Sequence, residues 1–179
     1  INMHIEQKDI SFRLSISGYE FPDISETPYD SDWLNIELEL QLGDLPVWKK
    51  IDPSLLTFEV TNLAEWLREI LRHADSFLRW NKNHSPLTTT ISFTEPNLCF
   101  EACSVSKQVV RLRIYLSAEF LPPFKNHLPH SIWNNVPENE ITQVWLDFDL
   151  TPADLQQLAD DLTAQLLRFP ARVEIPAPE

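Results

Sequence analysis

Apolar and polar residues alternate with period two over most of the first half of the chain. Phe12, Leu14 and Ile16 alternate with Ser11, Arg13 and Ser15; Leu34, Ile36, Leu38, Leu40 and Leu42 alternate with Trp33, Asn35, Glu37, Glu39 and Gln41. This is the pattern of half-buried strands. Gly43-Asp44 predicts a turn, Val47 to Ile51 a short returning strand, and Leu55 to Val60 a further one. The period then changes. Leu63, Trp66, Leu67, Ile70 and Leu71 recur at helical spacing, with Asn62 and Glu65 placed for a capping box, which predicts a helix ending between His73 and Trp80. Asn81 to Pro86 reads as a loop. Strand patterning returns over Thr89 to Thr94, Leu98 to Ser104 and Val109 to Ala118, the first two joined by Glu95-Pro96-Asn97. Pro122, Pro123, Pro129 and Pro137 make residues 121–139 irregular. A last strand is predicted from Ile141 to Leu150. Thr151, Pro152 and Asp154 then open a second helix with Leu155, Leu158, Ala159, Leu162 and Leu166 on its buried stripe. Arg168 suits its negative end and Pro170 stops it.

Strands, helix, strands, helix, with hairpin-length links, predict an α+β fold. The expected architecture is a mainly antiparallel sheet, curved or folded toward a partial sandwich, with two amphipathic helices packed against it. No repeat and no linker is visible, so one domain is expected over residues 1–179, with residues 1–9 and 173–179 loosely ordered. Trp66 sits on the first helical stripe, and its loss should cost roughly 3–5 kcal/mol if it is buried.

Composition narrows the function. Asp plus Glu number 27 against 14 Lys plus Arg, a net charge of -13. That excess argues against nucleic acid and anionic membrane as partners and favours a basic protein. The two glycines, Gly18 and Gly43, cannot build a phosphate loop or a dinucleotide fingerprint. No apolar run approaches the ~18 residues of a membrane helix, and no export signal is visible. Met3, the sole methionine, reads as the natural start. Cys99 and Cys103 on one strand face would stand about 13 Å apart, beyond the roughly 7 Å that a disulfide spans. Two free thiols without an export signal predict a cytoplasmic protein.

Catalytic groupings are weak. His127 and His130 flank Leu128-Pro129 without further zinc ligands, and Cys99 and Cys103 lack C-x-x-C spacing. No cofactor or metal is expected. Glu37 with Glu39, and Asp147 with Asp149, are carboxylate pairs of the kind glycosidases use. They also fit a wet sheet face, where Arg13, Arg111 and Arg113 share their parity and can pair with them. Acids are zoned: eight from Leu14 to Trp48 and seven from Asn126 to Leu167, with no Lys or Arg in either stretch. Aromatics accompany them, Tyr29 and Trp33 around Asp30 and Asp32, Trp145 before Asp147, and Trp133 in the Pro-rich stretch. Acids beside large aromatics are the composition of a protein-binding surface. The candidate contact set is therefore Tyr29, Asp30, Asp32, Trp33, Glu37, Glu39, Trp145, Asp147 and Asp149. Joint reversal of Asp30, Asp32, Asp147 and Asp149 is expected to slow association and spare the fold. Alternatives are an adaptor for another basic protein and a carboxylate-dependent hydrolase.

Tyr29-Asp-Ser-Asp-Trp-Leu34, Leu56-Thr-Phe-Glu-Val60 with Leu63 to Leu67, Ile91 to Glu101, and Leu166 to Arg172 together resemble the WapI family of bacterial immunity proteins. The blocks span about Ile10 to Arg172 and none is a catalytic motif. The resemblance implies a non-enzymatic cytoplasmic antidote. Its partner would be the C-terminal domain of a contact-dependent toxin, in the namesake system a nuclease acting on tRNA. It assigns no contact residues.

Overall fold

The structure, a computed structural model, describes residues 2–131 and 135–173. Ile1, Trp133 and the tail beyond Val173 lie outside the described residues. Strands β1 (Met3–Gln7), β2 (Ile10–Tyr19), β3 (Trp33–Leu42) and β4 (Trp48–Leu56) pair in that order as one antiparallel sheet. Strands β5 (Thr88–Ser92), β6 (Leu98–Ser106), β7 (Val109–Ser117) and β8 (Gln143–Leu150) form a second. Helix α1 (Thr57–Asn81) separates the sheets in sequence and α2 (Pro152–Arg168) follows the last strand. The fold is α+β with helices packed on antiparallel sheets, as the periodicity implies. The strands divide into two sheets because β4 runs straight into a 25-residue helix and has no hairpin to β5.

The chain divides into two compact units, Ile1–Glu65 with Leu158–Glu179, and Trp66–Gln157. In the first, alternate residues of β1 to β3 (Met3, Phe12, Leu14, Ile36, Leu38, Leu40) are buried, together with Val60, Leu63 and Ala64 of α1 and Leu158, Ala159 and Leu162 of α2. The expectation of a loose N-terminus fails at Met3–Gln7, because Met3 and Ile5 fill this core. Pairing of β2 with β3 slips between Ile16 and Gly18. There the Ile16 N–H donates instead to buried Gln165 Oε1 of α2 at 2.7 Å.

Helix α1 begins five residues before the Asn62 expected to cap it, and Leu55–Val60 is not a separate strand. Glu59 decides this: its carboxylate accepts the Leu56 N–H at 2.9 Å, the reach-back that closes a helix start. The second helix opens as expected. The Asp154 N–H donates to Thr151 Oγ1 at 3.2 Å, and the Thr151 N–H to Asp154 Oδ2 at 2.8 Å.

In the second unit the inward faces of β6 to β8 (Leu98, Phe100, Ala102, Leu112, Ile114, Leu116, Leu146, Phe148) are buried with Leu67 and Ile70 of α1 and Leu155 of α2. Helix α1 continues past His73 because β6 holds its last turns. Ser104 Oγ donates to the Ala74 carbonyl at 3.1 Å and Asn81 Nδ2 donates to the Ser104 carbonyl at 2.9 Å. Trp66 is only half-buried, its Nε1 donating to Thr89 Oγ1 at 3.2 Å. The exposed edge of β8 is partly covered, since the Trp145 N–H donates to the Pro129 carbonyl at 2.9 Å.

Candidate functional site

The candidate contact residues fall in both units, and each group has its own geometry. In the first unit, residues 20–30 form the loop from β2 to β3 and nearly all are exposed. Phe21 and Tyr29 stand open beside Asp23, Glu26 and Asp30, with Tyr29 51% exposed. Tyr29 has φ of 66°, in the left-handed region, held by a tight turn. The Asp32 and Trp33 N–H groups both donate to its carbonyl, at 2.8 and 3.1 Å.

Asp32 departs from the expectation. It is fully buried. Its Oδ1 accepts the Arg172 N–H at 2.7 Å and its Oδ2 the Val173 N–H at 3.3 Å. The Arg172 guanidinium donates to the carbonyls of Ser31 (2.5 Å), Pro22 (3.0 Å) and Phe21 (3.0 Å), and lies 3.7 Å from the Tyr19 ring centroid. Tyr19 OH donates to the Pro170 carbonyl at 2.5 Å; burial raises its pKa, with the nearby Arg172 charge pulling it down. Asp32 therefore latches the segment after α2 onto the base of the acidic loop and is not presented to a partner. Its joint reversal with other acids would not spare the fold. Neither Arg172 nor Tyr19 was in the candidate set. The partners of their side chains are backbone carbonyls about 140–150 residues away in sequence, which no local pattern reveals.

Glu37 and Glu39 project from half-buried positions on β3. Glu39 is not an open carboxylate. Strand register sets His4, Arg13, Glu39 and Lys49 side by side across the sheet. The Glu39 carboxylate is reached by Lys49 Nζ at 2.7 Å and by Arg13 Nη1 at 3.5 Å. The hydrogen bond from Lys49, with the charge of Arg13, holds the Glu39 carboxyl below the usual carboxylate range. Stabilisation from this cluster is present above that range and fades as pH falls through the lowered value.

In the second unit, Trp145, Asp147 and Asp149 lie on the outward face of β8, and β7 meets each of them in register with Tyr115, Arg113 and Arg111. Arg113 binds Asp147 in two places, Nε to Oδ1 at 2.7 Å and Nη2 to Oδ2 at 2.9 Å; Arg111 binds Asp149 at 2.8 and 3.3 Å. The hydrogen bond to Asp147 raises the Arg113 pKa, and its guanidinium sits 4.9 Å from the Trp145 ring. The cross-strand ion pairs expected from parity are present, so this face is a mosaic of matched charges around Arg113, Trp145 and Tyr115. Such bidentate pairs anchor the sheet, and an Arg–Trp–Tyr centre is the side-chain mixture found at interface hot spots.

Cys99 and Cys103 also face outward on β6 as half-buried free thiols. Burial pushes both pKa values up, Glu101 adding to it at Cys99 and Arg111 opposing it at Cys103. Thiolate is the reactive form, so alkylation of the folded protein should begin at higher pH than alkylation of the urea-unfolded chain. Overlapping pH–rate profiles for iodoacetamide would contradict this. His130 Nδ1 lies 2.8 Å from the Leu128 carbonyl. Among the described residues no group of three or more His, Cys, Asp or Glu is placed to hold a metal. No helix among them is long and apolar enough to cross a membrane.

In a comparison with protein families, the family model described as the immunity protein WapI-like family matches residues 3–170. Comparisons with curated proteins and with solved structures find no match.

Proposed function

Because the chain belongs to the immunity protein WapI-like family, we propose that it protects the cell making it by binding and occluding the C-terminal domain of a cognate contact-dependent toxin. The observation that carries this reading is the extent of the family match, residues 3–170 of 179. The reading is of a stoichiometric blocker acting in the cytoplasm, without turnover. A net charge of -13 complements a cationic toxin, and a toxin domain that acts on nucleic acid would present such a surface to phosphates.

An open part of the acidic surface in the first unit is the β2–β3 loop, with Tyr29 and Asp30 from the sequence-based set and Asp23 and Glu26 beside them. We assign toxin steering to this loop, and to the outward face of β7 and β8 a contact role resting on Trp145 and Arg113, with Asp147 and Asp149 holding the arginines. Mixing the chain with the toxin domain encoded beside it should give a one-to-one complex that abolishes toxicity and associates more slowly as salt is raised. Absence of a complex would overturn the reading. Reversal of Asp23, Glu26 and Asp30 together to Lys should slow association about tenfold at low salt and leave the melting temperature unchanged. An unchanged association rate would place steering elsewhere.

A further inference from the structure

The edge strand of an open sheet presents backbone N–H and C=O groups that another extended chain can pair. Three of the four edges in this protein carry a feature that opposes such pairing. β1 has His4 and Glu6, β4 has Lys49, Lys50 and Pro53, and β8 has Asp147 and Asp149, with its Trp145 N–H taken by the Pro129 carbonyl. β5 has none of these. It reads Thr-Thr-Thr-Ile-Ser, and no Asp, Glu, Lys or Arg occurs from Asn83 to Thr94. Among the described residues its backbone bonds only to β6. Thr88, Thr90 and Ser92 are exposed. An uncharged, uncovered edge of β-branched residues is the kind to which a further strand adds, and the donors and acceptors along it fix the occupant as extended polypeptide.

Register joins this edge to the outward face of β7 and β8. Ser92 stands in one row across the sheet with Trp145, and Thr90 in one row with Arg113 and Asp147. β5 and β8 are three strand spacings apart, about 14 Å, so a partner of ordinary interface size that covers Trp145 and Arg113 reaches the β5 edge as well. Behind the edge lies an apolar ledge. Trp66 Nε1 donates to Thr89 Oγ1 at 3.2 Å and the Leu87 N–H donates to Asn81 Oδ1 at 2.6 Å, which runs β5 back along the second half of α1. Phe77 and Trp80 follow Trp66 by about three and four turns, on the same side of that helix. Trp66 and Phe77 are half-buried and Trp80 is 47% exposed. We infer that β5 takes up an extended segment of the toxin as a fifth strand of this sheet, its side chains alternately apolar toward the Trp66 ledge and small or polar beside Thr90 and Ser92. The inference rests on the proposed toxin-binding function and deepens it. It assigns affinity to main-chain pairing at this edge and leaves the β2–β3 loop to act on encounter. A second copy suits the edge less well, because two chains of net charge -13 repel.

Hydrogen exchange of the full chain, free and mixed with the toxin domain encoded beside it, tests this. Alternate residues of β5 direct their N–H groups away from β6, and in the free chain those amides exchange fast. In the complex, exchange within Thr88–Ser92 should slow by about tenfold or more. Thr88→Lys combined with Thr90→Lys puts charge on two exposed edge positions. It should weaken toxin binding about tenfold in titration calorimetry and leave the melting temperature of the free chain unchanged. A complex that forms with β5 exchange unaltered, or with wild-type affinity in the double variant, would overturn the inference while leaving the toxin-binding function intact. So would a free chain that is dimeric by light scattering with its β5 amides already slow, since the edge would then belong to a second copy. No toxin binding by the wild-type chain would overturn both.

Discussion

Asp32→Ala should destabilise the protein by about 2–4 kcal/mol, read as a lower urea midpoint at unchanged slope. The carboxylate is fully buried and accepts the N–H groups of Arg172 and Val173. Alanine leaves both donors without these acceptors, and hydrogen bonds to a charged group are among the more valuable. Asp32→Asn keeps one acceptor oxygen and should lose about half as much. Arg172→Ala removes three bonds to carbonyls and the contact over Tyr19, but that side chain is partly exposed, and about 1–2 kcal/mol is expected. Hydrogen exchange in Asp32→Ala should quicken at residues 171–173 and in the β2–β3 loop together. An Asp32→Ala protein as stable as wild type would show that the latch contributes nothing to the fold.

Leu67→Ala should cost about 3 kcal/mol, and Trp66→Ala only about 1–2, although tryptophan is the larger side chain. Leu67 is fully enclosed in the second unit, so truncation leaves a cavity that its neighbours only partly fill. Trp66 keeps one edge toward solvent and contributes one hydrogen bond, to Thr89. The figure expected from helical periodicity alone was higher because the stripe put Trp66 at its centre. The buried apolar positions are Val60, Leu63, Ala64, Leu67 and Ile70, a stripe displaced toward the earlier start of the helix. Equal losses for the two variants in urea unfolding would contradict this ranking.

These two residues also mark what local patterning can and cannot reveal. β3 was legible from strict alternation over Leu34 to Leu42, and the opening of α2 from Thr151 and Asp154, because both are decided by neighbours in sequence. The start of α1 was not. Leu55 to Val60 alternates like a strand, and only the bond from Leu56 to Glu59 shows that the helix has begun. The pairing of Arg111 and Arg113 with Asp149 and Asp147 followed from strand parity. Lys49 could have been added by counting outward from the turn at Gly43-Asp44, which sets it opposite Glu39. The burial of Asp32 could not. Beside Asp30 in an acidic, aromatic stretch it has the composition of an open contact, and its acceptor role is settled by backbone at the far end of the chain.

The first sheet draws on both ends of the polypeptide. β1 to β4 are complete by residue 56, yet their core includes Leu158, Ala159 and Leu162, and Gln165 supplies the acceptor at the slip in β2. On the ribosome this sheet is made first and finished last. The sheet of β5 to β8 has its whole sequence translated before the earlier one can be sealed. A nascent chain paused near residue 150 would hold Leu34, Leu38 and Leu40 with part of their cover missing. Such a stalled intermediate is the form in which chaperones would meet this protein and in which aggregation would begin.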